Sequence, residues 1–338
     1  MTAPKDGSRH SILQHTPVAS PLTGASSQSS AVDKYLTPRA FTVRISEHES
    51  VRVYEVGPPD VPVVIGIHGT PSSGVNEVLK YVATGPVFCR LVTFDRQGYG
   101  CSTPRPGRKV RDIVPIIEAV LNRLSLDVAA VYGVSGGGPH ALAAAALLPD
   151  RISRVASIGG IGPNFGPGFD YMDGQIPLAR QEMLAARSDL DALRDFYRRY
   201  IVTMDMPDVG KQWFSENDLR VSRFMREVMA SVKKKIEQQL SLHEADFSQE
   251  NAYIDDFQSF ASPWGFELGS IKIPSRFFHG LADLMVPRRH SEWLQSQIPN
   301  AGLELFPNFG HTLSQIMPHV FAWLVGETPC QGLRRIMS

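Results

Sequence analysis

The sequence predicts an α/β fold: a mostly parallel sheet with helices on both faces and a helical insertion set into it. Three observations predict it. Short, continuous, β-branched runs alternate with amphipathic stretches. One serine sits in a nest of glycines between such a run and an alanine-rich stretch. From 163 to 262 the alternation stops and only helical periodicity remains. Continuous apolar runs suit central strands covered on both faces, and strands separated by helices join into parallel sheets through right-handed crossovers.

Residues 1–34 come first. They are rich in Ser, Thr, Pro and Gly and show no apolar period, as in "SPLTGASSQSSAVD". Such a segment buries too little surface to offset its ordering entropy, so a disordered tail is expected. It lacks the apolar stretch of a secretory signal, although Lys5, Arg9 and its scarcity of acids also leave room for an organelle transit peptide. "FTVRISEHESVRVYEVG" (41–57) alternates apolar and polar on both sides of "SEHES" and reads as an antiparallel hairpin. "VPVVIGIHG" (61–69), "RLVTFDRQG" (90–98), "VAAVYGVSG" (128–136) and "RVASIGG" (154–160) read as central strands, with "VRDIVPIIEAVLNRLSL" (110–126) as a helix between two of them. Two further strands are expected in "IKIPSRFFHG" (271–280) and "GLELFPNFG" (302–310). The expected division is therefore a core of 35–162 and 263–338, interrupted by a helical cap at 163–262. In that cap "LDALRDFYRRYI" places Leu190, Leu193, Phe196, Tyr197, Tyr200 and Ile201 on one helical face, and "FMREVMASVKKKIEQQL" does the same with Met225, Val228, Met229, Val232, Ile236 and Leu240.

Composition narrows the function classes. Lys+Arg and Asp+Glu are equal at 34 each, so no net field favours nucleic acid or an anionic membrane surface. No apolar run approaches the ~18 residues of a membrane span. Cys89, Cys101 and Cys330 form neither a disulfide framework nor a CxxC metal pair. The expectation is a cytoplasmic monomer or homodimer acting on a small molecule, with no metal, no cofactor, no nucleic acid and no membrane partner. "GGIGPNFG" and "GYGCST" fall short of a dinucleotide loop, because Phe165 and Thr103 stand where the third glycine belongs. His68, His140 and His279 lack metal-ligand spacing, and Asp95 and Arg96 read as a structural turn network.

The serine carries the chemistry. In "VYGVSGGGPHALAAAALLP" (131–149), Ser135 lies in a G-x-S-x-G pattern between a buried strand and a helix opened by Pro139. Gly133 and Gly137 flank it because a sharp strand-to-helix turn leaves no space for Cβ atoms. The free N–H groups at the start of the following helix favour a developing anion. A serine hydroxyl needs a base to take its proton, and that base needs an orienting acid. In chain order, Asp283 follows one late strand and His311 the last, both at carboxyl ends where α/β sheets place their chemistry. One oxyanion donor is expected from the N–H of Gly136, the second from "IHGTPSSG" (67–74). Pro71 has no N–H there, which leaves Thr70 first and Gly69 next. Asp255 and Asp256 are the substitutes for the acid should Asp283 not serve.

With these motifs in place, "IHGTPSSG", "TFDRQGYGCST", "VYGVSGGGPHALAAAALLPDRI", "PWGFELGSIKIPSRFFHGLADLMVP" and "PNFGHTLS" together resemble the α/β-hydrolase superfamily, in particular its serine esterases and proline-iminopeptidase-like members. The resemblance covers about 36–162 and 263–326 and implies Ser135 as nucleophile, His311 as base and Asp283 as acid. Epoxide hydrolases and haloalkane dehalogenases carry an aspartate where this chain has Ser135. Typical proline iminopeptidases have a tryptophan where it has Gly136. The leading expectation is a carboxylesterase working through an acyl-enzyme on small-to-medium apolar esters, with Phe165, Phe169 and Trp213 of the cap touching substrate. A peptidase, lactonase or C–C hydrolase with the same triad, or a receptor-like ligand binder with little turnover, are the alternatives.

Overall fold

In the computed structural model, residues 35–84, 89–164, 166–203, 214, 218–219 and 249–327 are described. The hairpin expected near 41–57 is β1 (Arg39–Arg44) paired antiparallel with β2 (Ser50–Val56). The continuous runs become β3 (Val63–Ile67), β4 (Arg90–Phe94), β5 (Ala129–Val134), β6 (Ile152–Ile158), β7 (Ser275–Gly280) and β8 (Gly302–Phe306). They form one eight-stranded sheet in the order β1-β2-β4-β3-β5-β6-β7-β8. From β4 to β8 every neighbouring pair is parallel, and the hairpin joins antiparallel through β2 and β4.

Successive residues of the central strands divide between two apolar cores, which is why their runs are continuous. Ile65, Ile67, Val131 and Val155 join one core with α2 (Val114–Arg123) and α3 (Gly138–Leu147). Helix α7 (Arg289–Gln297) adds Leu294 to the same core. Val64, Ala130, Tyr132 and Ala156 join the other, with Val78 of α1 (Gly74–Thr84) and Val320 of α8 (Met317–Val325). Helices thus cover both faces.

Between β6 and β7 the described residues hold α4 (Pro177–Ser188), α5 (Leu190–Phe196), a turn of π-helix at Tyr197–Ile201 and α6 (Glu250–Ala261). Asp189 caps α5, accepting from the N–H of Asp191 at 2.9 Å and of Ala192 at 3.3 Å. Arg194 and Arg198 tie this stretch to Glu250 at the start of α6. No strand occurs in this stretch among the described residues, only a single bridge between Gly166 and Phe169. The 1–34 tail and the second periodic helix, Met225 to Leu240, lie outside the described residues. No helix among those described is long and apolar enough to cross a membrane.

Candidate active site

Ser135 ends the run of β5 and turns directly into α3 with φ +52°, the left-handed region that a non-glycine residue enters only at a cost of ~1–3 kcal/mol. The turn is possible because its neighbours lack side chains. A Cβ on Gly133 would overlap the Gly137 carbonyl, and one on Gly137 would overlap the carbonyls of Ile67, which ends β3, and of His68 just after it. The result lifts Ser135 above the carboxyl edge of the sheet.

Two loops at the same edge meet it. His311, after β8, reaches Ser135 Oγ with Nε2 at 3.1 Å and Asp283 Oδ2 with Nδ1 at 2.8 Å. Nδ1 must donate to the carboxylate, so Nε2 is the nitrogen free to accept the Ser135 proton. Asp283, after β7, is itself held: its Oδ1 accepts from the N–H of Met285 at 3.0 Å and of Val286 at 2.9 Å. His279 Nε2–H, donated to the Val286 carbonyl at 2.7 Å, lies 3.3 Å from Asp283 Oδ2. Burial works against ionising Asp283, but the His311 charge and the hydrogen bonds from both histidines overcome it and hold the carboxyl well below the usual range. Burial also works against charging His311, and there the Asp283 carboxylate wins, raising the imidazole above its ordinary value.

On the opposite side of Ser135 lies the loop after β3. Its residues Gly69 and Thr70 approach the turn so closely that a Cβ on Gly136 would overlap the Thr70 side chain, and one on Gly69 would lie 3.4 Å from Ser135 Cβ. Buried polar groups fix this loop. His68 Nδ1–H donates to the Gly69 carbonyl at 2.8 Å while its Nε2 accepts from the Arg96 N–H at 3.0 Å. Arg96 Nη2 donates to the Gly69 carbonyl at 3.0 Å and to Thr70 Oγ1 at 2.9 Å. Thr70 Oγ1 in turn donates to Asp256 Oδ2 of α6. Burial, reinforced by the Arg96 charge, keeps His68 well below its ordinary value and therefore neutral. Asp95 has a separate duty in the same turn, accepting from the Gly74 N–H at 2.8 Å and the Tyr54 hydroxyl at 2.7 Å.

From the sequence, Asp256 is expected only as a substitute acid for Asp283. The structure sets it elsewhere. It is fully buried between Arg96 and Arg108, also accepts from the Tyr99 hydroxyl at 2.7 Å, and has no bond to His311. Asp255 pairs with Arg108 at 3.0 Å. No periodicity or motif in the sequence marks Asp256 as a partner of the loop at Thr70, or Arg108 as a partner of Asp256.

A narrow pocket of about 40 Å³ opens beside Ser135, lined by Thr70 and Gly136 from the core. The stretch between β6 and β7 adds Tyr171, Gln175, Glu182, Phe257 and Phe260 to its walls. Phe169 does not line it; its ring stacks on Trp293 at 5.0 Å and meets His290 edge-on. Phe165 and Trp213 lie outside the described residues.

A family model described as alpha/beta hydrolase fold matches residues 62–314. The chain belongs to that family. Among curated proteins, this chain is similar to "Epoxide hydrolase B" of Mycobacterium tuberculosis, 30% identical over 34% of this chain and 34% of that protein. It is also 31% identical to "Proline iminopeptidase" of Xanthomonas citri, over 31% of this chain and 34% of that protein. The matched segment thus spans only about a third of these relatives. Among solved structures, an esterase from Exiguobacterium antarcticum superposes with TM-score 0.60, covering 83% of this chain and 96% of that one at 17% identity. At that identity the likeness speaks to the fold.

Proposed function

We propose that this α/β-hydrolase is a serine esterase that cleaves a small, largely apolar carboxylic ester through an acyl-enzyme. The observation that carries the reading is the unbroken hydrogen-bond chain from Ser135 Oγ through His311 to Asp283 Oδ2. In this reading His311 Nε2 takes the Ser135 proton as Oγ attacks the ester carbonyl, then returns it to the leaving alcohol. A water deprotonated by the same nitrogen hydrolyses the acyl-enzyme. The N–H groups of Gly136 and Thr70, with Gly69 as the alternative on that loop, receive the oxyanion; the bonds from Arg96 and Asp256 that fix Thr70 favour this role. The stretch at 163–262 acts as the cap, since Tyr171, Gln175, Glu182 and Phe257 wall the pocket. The serine at the elbow separates this reading from that of the epoxide hydrolase relative.

A fluorophosphonate probe tests the reading directly. One molecule should label per chain, and Ser135→Ala should remove both label and hydrolysis of phenyl butyrate. Labelling at another serine, or hydrolysis surviving in Ser135→Ala, would reject it. The pH profile gives a second expected result. His311 must be neutral to act as base, and its folded-state value lies above the ordinary 6.5. The acid limb of kcat/KM is therefore displaced above that value and activity rises with pH through it. A limb at or below the ordinary value would show that the Asp283 carboxylate does not govern His311.

A further inference from the structure

The pocket beside Ser135 is apolar along most of its wall, through Ile161, Ala179, Ile201, Phe257 and Phe260. Its polar members are unusual. Gln175 Oε1 is buried and has no hydrogen-bond partner among the described residues, and Tyr171 lines the same pocket. Glu182 is buried beside them, with the Tyr253 hydroxyl donating to its Oε1. Buried carbonyl oxygens of this kind are nearly always paired, so an orphan in a pocket wall marks the place of a group that arrives with the ligand.

Resting on the ester-hydrolase reading, we infer that this polar patch selects an acyl group bearing a neutral hydroxyl, which donates to Gln175 Oε1 and accepts from the Glu182 carboxyl. Charge supports the word neutral. Burial pushes the Glu182 carboxyl up to about 8, against the opposing hydrogen bond from Tyr253, so it is protonated at neutral pH and is a donor as well as an acceptor. An ammonium group would require Glu182 to ionise and two ions to lose their water in an apolar pocket. A hydroxyl requires neither, and it supplies the one donor that Gln175 lacks.

Three phenyl esters of matched shape test this on the full-length chain: 3-hydroxybutyrate, 3-methylbutyrate and 3-aminobutyrate, at neutral pH. The hydroxy ester is expected to exceed the methyl ester in kcat/KM about tenfold, because a site with unpaired buried polar groups rejects an analogue that cannot pair them. Gln175→Leu should erase that preference, bringing kcat/KM for the hydroxy ester down to that of the methyl ester. Glu182→Gln, which stays neutral and keeps a donor, should retain most of it. A preference for the amino ester that vanishes in Glu182→Gln would overturn the inference in favour of a cationic group, and equal rates for hydroxy and methyl esters would overturn it outright. Failure of the hydrolase reading is read separately. If no ester is cleaved, binding of 3-hydroxybutyramide against 3-methylbutyramide to Ser135→Ala by calorimetry decides, and equal affinity sinks the subsite.

Discussion

Asp283→Asn is expected to lower kcat by about 10⁴-fold with little change in the fold. The asparagine oxygen can keep the two backbone bonds that Asp283 Oδ1 now accepts from Met285 and Val286, so the side chain stays seated. Its amide nitrogen then faces His311 Nδ1 in place of Oδ2. That nitrogen donates, so Nδ1 must accept and the imidazole proton moves to Nε2. An Nε2 that carries a proton cannot take another from Ser135 Oγ, 3.1 Å away. Ser135→Ala and His311→Ala should each cost still more, on the order of 10⁶-fold, and the double variant no more than either alone, because the group acts as a unit. Initial rates on phenyl butyrate, with melting curves to show that the variants are folded, make the measurement. Near-full activity in Asp283→Asn would place the orienting acid on another residue. Neither Asp255 nor Asp256 could then serve as they stand, since both are committed to Arg108.

Much of this was legible because it is local or periodic. Each expected strand overlaps an observed one, with β1 and β6 each beginning two residues before the expected run, since a run such as "VPVVIGIHG" feeds Ile65 and Val64 into opposite cores and has no choice but to be apolar throughout. The turn at Ser135 was legible because steric exclusion leaves glycine as the fitting residue at 133 and 137. Ser135, Asp283 and His311 meet because each follows a strand, and strand ends share one edge of the sheet. What was not legible depends on contacts between distant parts of the chain. Thr70 and Asp256 are 186 positions apart, and no sequence pattern couples a loop after β3 to a helix before β7. Phe169 illustrates the same limit from the other side. An aromatic residue in an insertion reads as pocket or as packing, and only the position of Trp293 in α7 decides that its ring is covered there. Gln175 and Tyr171, in an irregular stretch, carry no periodic signal at all.

Asp256→Ala is expected to destabilise the protein by about 3–5 kcal/mol, because it leaves two fully buried guanidinium groups without their shared carboxylate. A change of that size lowers Tm by an amount on the order of 10 °C. Asp255→Ala should cost less, about 1.5 kcal/mol, since Arg108 keeps both Asp256 and the Ala252 carbonyl. The pH dependence has a definite sign. Burial resists ionising Asp256, and Arg96 and Arg108 overcome that resistance, so its folded-state value is depressed below the ordinary carboxylate range. Its contribution is then fully present above about pH 4 and is lost as pH falls through the depressed value. The gap between parent and variant is therefore constant near neutrality and closes in acid. Activity should fall as well, at temperatures where the variant is still folded. Thr70 Oγ1 loses the carboxylate that it donates to, and Arg96, which also holds the Gly69 carbonyl, loses its counter-charge. A loop released in this way misplaces the oxyanion donor proposed for it, which costs about 10²-fold or more in kcat. Thermal melts of parent, Asp255→Ala and Asp256→Ala from pH 3 to 8, with rates at 15 °C below each midpoint, separate the two effects. A midpoint for Asp256→Ala within about 2 °C of the parent at pH 7 would show that Arg96 and Arg108 find other partners or water, and that α6 does not anchor the loop beside Ser135.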